Sequence, residues 1–442
     1  MLLFNFVQVK FKQMNSSLLD PIINQQVSEM AENLVGSEII KLAGEVKEKI
    51  KQGEKIYNMT IGDFNPKIFP IPAELKNEII TAYQNDETNY PAANGVLELR
   101  ESVSTYLHTR AGLEYDADQI LISGGARPLI YATFQTILDP EDTVVFPVPS
   151  WNNNHYSHLT RAKQVLIEAT AENNFMPTAA DIKPYISEAN LIALCSPLNP
   201  TGTVFTEQGL AEICDLVLEE NKKRGSSKKP VYLMFDQIYW QLTHGETRHF
   251  DPVSINSDMK NYTIYIDGIS KAFAATGVRV GWAFGPQKLM NKMKAILSHV
   301  GAWSPKAEQV ATANYLSQDD ATDEYLFKIK NDISKRLNAF YEGFTTLKNE
   351  GFCVEAIPPQ AAMYLTVKFD LTGKTTADGK VLESTPDVTQ YLLDEAGLAI
   401  VPFYAFGASK KSPWYRLSVG TSVYEEIDEL FIKLKTALAK LN

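Results

Sequence analysis

The feature that most constrains this chain is an alternation. Between about Lys67 and Ser317, short apolar runs are each followed by a polar-patterned stretch of helical spacing. The runs are QILI (119–122), DTVVFPV (142–148), QVLIEA (164–169), NLIALC (190–195), VYLMFD (231–236), YTIYID (262–267) and VGWAFG (280–285). Runs this short and this continuously apolar read as strands buried on both faces. Strands of that kind alternating with helices imply a parallel or mixed sheet covered on both sides. After about Gln318 the pattern changes to long helical stretches, then the strands FCVEA and MYLTVKF, a loop GKTTADGKVLESTPD, a helix, the strand YRLSV and a terminal helix. Upstream, SEIIKLAGEVKEKIKQG is an amphipathic helix ended by Gly53, and MTIGDFNP reads as a strand running into a loop. The expectation is an α/β fold. A large domain, 66–317, holds a mixed, mostly parallel sheet covered by helices. A smaller α+β domain is built from 31–65 and 318–442, and 1–30 forms an N-terminal tail. GSSKK (225–229) reads as a helix–strand loop rather than a boundary.

A chain of 442 residues is too long for one core and long enough for two domains. Its net charge of −11, with no strongly basic block, argues against nucleic acid as the main partner. The three cysteines, Cys195, Cys214 and Cys353, are far apart and form no CxxC pair, so a reducing, cytoplasmic setting is expected. No apolar run is long enough to span a bilayer, and no membrane partner is expected. The opening MLLFNFVQVKFKQMNSSLLD has an apolar run broken by Asn5 and Gln8, with lysines after it rather than before it. It reads as a tail, not a signal peptide, and Met14 is an alternative start.

The unusual residues cluster where the predicted strands end. QILI runs into SGGARP, where two glycines and the start of a helix offer free amides to a phosphate and Arg127 adds charge. DTVVFPV ends in PSW, where Trp151 can lie against an aromatic ligand or simply pack in the core. NLIALC ends in SPLNPTG, a rigid loop presenting the Asn199 amide. VYLMF ends in DQIY: Asp236 is costly after an apolar run unless it meets a cation or donors, and Tyr239 follows three residues later. YTIYI ends in DGISKAFAATGVRVG, with Lys271 and Arg279 among small and apolar neighbours. A lysine beside a cation and shielded from water favours its neutral form, which suits Schiff-base chemistry. Each feature alone also reads as an ordinary turn, cap or water-seeking cation. Ligands of open α/β sheets bind at the carboxyl ends of the strands, and five successive strands deliver such groups there. A phosphate cradle, a stacking ring, a donor for a ring oxygen, a carboxylate for a ring nitrogen and an amine for an aldehyde together complement pyridoxal 5'-phosphate.

On these motifs the chain resembles the fold-type I PLP-dependent enzymes of the class I/II aminotransferase family, from about Val35 to near the C-terminus. The resemblance implies the PLP-dependent transferase fold and a set of roles. Gly125, Ala126 and Arg127 in SGGAR would form the phosphate loop, and Trp151 would stack on the cofactor. Asn199 and Tyr239 would bond its phenolic oxygen, and Asp236 its ring nitrogen. SKAFAATGVRVG would supply Lys271 as the Schiff-base lysine, with Ser270 adjacent and Arg279 on the phosphate. Tyr90, in NYPAANG, is similar to the tyrosine that reaches the phosphate of the other subunit, which implies a homodimer. Arg416, in WYRLSVG, and Gly62, in IGDFNP, match the groups that take the substrate α-carboxylate, with Asn199 beside them. The sequence departs from the family pattern at Gly268, where Ser or Ala is usual, and at Ala361 and Phe403, where Gly is usual. SHVGAWSP lacks the arginine that in dicarboxylate-specific members takes the distal carboxylate; His299 and Trp303 stand there instead.

The implied activity is transfer of an amino group from an L-amino acid to a 2-oxo acid by a ping-pong mechanism, with an aspartate, aromatic or neutral donor. Lys271, Asp236 and Tyr239 would be the catalytic groups, and no metal is implied. A carbon–sulfur lyase or a decarboxylase on the same fold is the nearest alternative. A non-catalytic PLP sensor is a further one, although the residues before Val35 are too few for a winged helix. A nucleotide-binding protein is disfavoured because no GxGxxG follows the first strand and no GxxxxGK[ST] occurs.

Overall fold

The computed structural model of the protein describes residues 27–34 and 38–442. The chain divides into two compact units, Met1–Val35 and Gly36–Asn442. In the first, the described residues form one helical turn, Glu29–Glu32, capped by the Ser28 side chain. The expected tail, the broken apolar run and Met14 fall largely or wholly outside the described residues.

The second unit carries the strands, in chain order β1 (Tyr57–Asn58), β2 (Ile120–Ser123), β3 (Thr143–Val148), β4 (Lys163–Glu168), β5 (Ala189–Cys195), β6 (Tyr232–Asp236), β7 (Thr263–Gly268), β8 (Gly281–Phe284), β9 (Val354–Ala356), β10 (Tyr364–Phe369), β11 (Leu398–Ala399), β12 (Val401–Pro402) and β13 (Trp414–Ser418). All seven apolar runs of the alternating region enter one sheet, in the order β2-β8-β7-β6-β5-β3-β4. Only β8 runs antiparallel to its neighbours. The sheet is mixed and mostly parallel, as the patterning predicts.

Alternate residues of these strands feed two separate cores, because successive side chains of a strand point to opposite faces. Ile192, Leu194, Leu233 and Phe235 pack with the helices Leu97–Ala111 and Glu207–Arg224. Leu191, Ala193, Met234 and Ile264 pack with Ala126–Ile137 and Gln287–Val300. Both faces are covered, which is why the strands read as continuous apolar runs rather than alternating ones.

A third core surrounds a four-stranded sheet of order β12-β13-β10-β9. The helix Asp319–Asn349 covers it with Ile329, Ile333, Leu337, Phe340, Phe344 and Leu347, an apolar stripe at three- and four-residue spacing. Truncating Phe340, which is fully buried, to alanine would cost about 3–5 kcal/mol. The strand expected in MTIGDFNP (59–66) is not there: β1 (Tyr57–Asn58) stops just before it and pairs in parallel with β11. Extended pairing still continues past it, because Met59 N donates to Ala399 O and Met59 O accepts from Ser418 N. This anchors the loop that follows, Thr60–Phe64.

Candidate active site

The strand ends converge. After β2, Gly125 opens the helix Ala126–Ile137 with φ +92°, and a Cβ there would lie 2.4 Å from the Arg279 guanidinium. Only glycine allows that approach. Arg279 is held by two carbonyls: Nη2 donates to Gly124 O at 2.6 Å and Nη1 to Thr276 O at 2.8 Å. After β3, Trp151 faces a cavity, and the Arg127 guanidinium lies 5.4 Å from its ring centre. After β5, the Asn199 carbonyl oxygen accepts from Arg416 Nη1 at 3.0 Å. After β6, Asp236 Oδ1 accepts from Ile238 N at 3.0 Å, and the Tyr239 and Tyr364 hydroxyls are 2.6 Å apart. After β7, the short helix Ile269–Ala272 carries Ser270 and Lys271, and Lys271 Nζ donates to Gly62 O at 2.6 Å. Arg416 enters from β13. Its Nη2 donates to Thr60 O at 2.6 Å, and its buried Nε has no hydrogen-bond partner.

One cavity of about 650 Å³ is lined by Gly62, Ala126, Arg127, Trp151, Asn199, Asp236, Tyr239, Ser270, Lys271, Arg279 and Arg416. Of the residues singled out from sequence, Gly125 and Tyr90 do not line it. Gly125 sits directly behind, against Arg279. Tyr90 is 82% exposed and meets the Trp303 ring edge-on, with ring centres 5.2 Å apart. Two departures from the family pattern have local explanations. A Cβ at Gly268 would lie 2.8 Å from Gly281 Cα, so two backbones cross where a side chain would stand. Phe403 is buried with Phe175, Val401 and Phe406 in a cluster that the cavity residue Trp151 packs against, and does not itself line the cavity.

Burial dominates the electrostatics. It lowers Lys271 to about 8, with Asp63 opposing the shift and Arg416 and Arg127 adding to it. It raises Asp236 to about 6 against the Ile238 amide. It also lowers Arg416 and raises Tyr239. Both changes follow from one rule: removal from water disfavours the charged form. Among the described residues none of Lys271, Arg127, Arg279, Arg416 and Asp236 is ion-paired.

The lining also holds groups that sequence reasoning passed over: Thr60, Asp63, Asn153, Cys195 and Thr276. Thr276 Oγ1 donates to Asp63 Oδ1 at 2.8 Å, which ties the Gly62 loop to the segment after Lys271. Thr276 and Asp63 flank residues already singled out, and that adjacency was the available signal. Cys195 had none beyond its place at a strand end.

These residues fit pyridoxal 5'-phosphate. The helix start at Ala126, Arg279 and the half-buried Asp236 carboxylate, which meets no cation among the described residues, line one cavity. An amine depressed toward neutrality lies among them, beside the orphaned Nε of Arg416. Fold and site together define a vitamin B6 enzyme that works on amino groups. Comparison with known proteins makes the assignment narrower. The model of the family aminotransferase class I and II matches residues 54–434, and the chain belongs to that family. The aspartate aminotransferase of Rhizobium meliloti (strain 1021) is 26% identical over 409 residues, covering 92% of this chain and 94% of that one. The aspartate aminotransferase of Bacillus sp. (strain YM-2) is 28% identical over 406 residues, covering 91% and 96%. The crystal structure of a Rhizobium meliloti aspartate aminotransferase superposes with a TM-score of 0.85 at 26% identity, covering 94% of this chain and 100% of the other. The protein is therefore a transaminase of fold type I, and its family uses pyridoxal 5'-phosphate. No helix among the described residues is long and apolar enough to cross a membrane.

Proposed function

We propose that this transaminase takes dicarboxylic amino acids and 2-oxo acids, and that the strand-end residues carry the roles their positions suggest. The observation that carries the reading is the cavity itself: four cationic side chains and the Asp236 carboxylate line it without pairing with one another. The Gly125 and Ala126 amides and Arg279 hold the phosphate, with Arg127 opening the same helix. Trp151 covers the ring, Asn199 and Tyr239 bond its oxygen, and Ser270 lies beside Lys271. Bound there, pyridoxal phosphate supplies an aldehyde that takes up the amino group and a ring that withdraws electrons from Cα.

The remaining work belongs to the chain. Arg416 holds the substrate α-carboxylate beside Gly62 and Asn199, which turns the Cα–H bond toward Lys271. Lys271, near pH 8 partly neutral, accepts the Cα proton at Nζ and returns it on the other side of the transfer. Gly62 O already accepts a hydrogen bond from that nitrogen and holds its ammonium form. Asp236 keeps the ring-nitrogen proton in place. Among the described residues the Arg127 guanidinium has no hydrogen-bonded or ion-paired partner, and it lies over Trp151 in the cavity wall. It meets a distal carboxylate in place of the arginine that SHVGAWSP lacks. The names of the relatives, aspartate aminotransferases, agree with this.

A homodimer is part of the proposal, with Tyr90 reaching the phosphate in its partner. Its exposure and its place outside its own cavity support that role. The two sheets with separate cores support a large domain, 66–317, and a smaller one from 31–65 and 318–442. The three free cysteines support a cytoplasmic setting. The test is steady-state kinetics with aspartate, glutamate, tyrosine and alanine as donors. Parallel double-reciprocal lines are expected. Arg127→Ala should lower kcat/KM for aspartate by about 10- to 150-fold, a charged hydrogen bond's worth, and leave alanine unchanged. Equal losses for both donors would remove the dicarboxylate reading.

A further inference from the structure

One buried carboxyl group at the site is used by none of these steps. Asp267 ends the same strand that delivers Lys271 and is 2% exposed. Its two oxygens are engaged separately. Oδ1 accepts from Gly268 N at 2.7 Å, at the start of the turn that carries Ser270 and Lys271. Oδ2 accepts from Trp240 Nε1 at 2.8 Å. Trp240 belongs to the loop after β6, four residues past Asp236 and next to Tyr239, and its own amide donates to Gln237 O. Gln237 N in turn donates to Ile266 O, the residue before Asp267. The loop bearing Asp236 and Tyr239 and the turn bearing Lys271 are thus joined through Asp267 by side chain as well as by backbone.

The residue type follows from the donors. Two N–H groups arrive from different directions, and each needs an acceptor oxygen. An ionised carboxylate offers two, whereas an amide, or the protonated acid below about pH 8, would turn a donor toward one of them. No cation faces the group. The titratable neighbours are Asp236 on the adjacent strand and Tyr106 from the helix Leu97–Ala111. Burial therefore raises Asp267 to about 8, opposed by the Gly268 amide, the Trp240 indole and the Gln237 amide, with Asp236 adding to the rise. A lone buried carboxyl group is a costly way to hold a fold together. It is a specific way to hold two loops in register.

We infer that Asp267 is a positioning residue of the transamination, a two-oxygen tie that sets the Lys271 turn against the loop carrying Asp236 and Tyr239. The inference rests on the proposed roles of Lys271 and Asp236. The experiment compares the reconstituted wild-type enzyme with Asp267→Asn, Trp240→Phe and the double variant. The measurements are kcat, KM, thermal midpoint with and without cofactor, and the pH dependence of the bound cofactor's absorbance. In each single variant kcat should fall by about 10- to 100-fold, the cost of a small misplacement, with KM for the amino donor little changed. Above pH 8, where Asp267 is ionised, losing the carboxylate should also lower the protonated fraction that the bound cofactor's absorbance reports, because a nearby anion favours the protonated form. The double variant should be no worse than the poorer single one, since both changes cut the same tie.

Wild-type kcat and an unchanged absorbance above pH 8 in Asp267→Asn would overturn the inference, and so would additive losses in the double variant. If Asp267→Asn does not fold, Trp240→Phe decides alone: an unchanged kcat overturns the inference. A wild-type protein that shows no cofactor absorbance after reconstitution would instead sink the underlying reading of Lys271.

Discussion

The two ends of the large sheet treat charge in opposite ways. At the amino ends of its strands, Lys229 donates to Ile137 O, Asp139 and Asp142 at 2.6–3.0 Å. Arg224 donates to Glu220 at 2.9 Å and to the carbonyls of Lys229 and Ile186. At the carboxyl ends, Lys271 bonds one neutral carbonyl and Asp236 one amide, and neither meets an opposite charge within ion-pair distance. The proton affinities divide accordingly. Burial alone would lower Lys229, but its bonds to the two carboxylates outweigh that and raise it. Lys271, half-buried and desolvated without such a partner, falls to about 8. Paired charges close one end of the fold. Unpaired ones at the other end line the cavity, and their desolvation costs stability while they stay unpaired.

The comparison can be broken at three points. Lys271→Ala should give the largest effect, a loss of at least about 10⁴-fold in transamination together with the bound cofactor's characteristic absorbance. Its thermal midpoint without cofactor should match or exceed that of the wild type, because a buried cation has been removed. A large fall in that midpoint would mean that Lys271 supports the fold as Lys229 does.

Arg224→Ala should do the reverse. Glu220 and Arg224 are both nearly buried, and stranding Glu220 should cost about 3 kcal/mol in urea denaturation while kcat stays unchanged. A kcat loss without a stability loss would erase the distinction between the two ends.

The smallest effect is a pH dependence. Asp236 is raised from 3.8 to about 6, so above pH 6 it is ionised in both folded and unfolded chains and its burial cost is fully present. As pH falls from 6 toward 4 the folded chain takes up the proton first, and that cost is relieved. Asp236→Asn without cofactor should therefore be more stable than the wild type at pH 7–8, by up to about 2–3 kcal/mol. The advantage should shrink as the pH falls through 6 and 5. Denaturation curves at those pH values check it, and an advantage that grew on acidification would refute the sign.

Lys271, Asp236 and Asn199 were legible because each directly follows a run whose continuous apolarity marks a strand, and the carboxyl end of a parallel strand is a predictable place. Arg416 and Gly62 were legible only by resemblance, since nothing near either residue in the chain says what it faces. Asp63, Thr276 and Asp267 were not assigned. A carboxylate after an apolar run, or a threonine before a glycine, has many local uses, and only the surrounding packing selects one.

What the amino-acid sequence determined by itself is therefore the layered α/β architecture and the row of chemically unusual strand ends. Both are short-range: a strand's pattern has a period of two, and a turn is written in four or five residues. Tertiary structure decided which of these groups share a cavity and which charges go unpaired. It brought Arg416 in from a second sheet, and it hung the Gly62 loop on the pairing of β1 with β11 and of Met59 with β13. The lowering of Lys271 and the raising of Asp236 belong to that level too. Desolvation is a property of everything packed around a group, and those neighbours come from all along the chain.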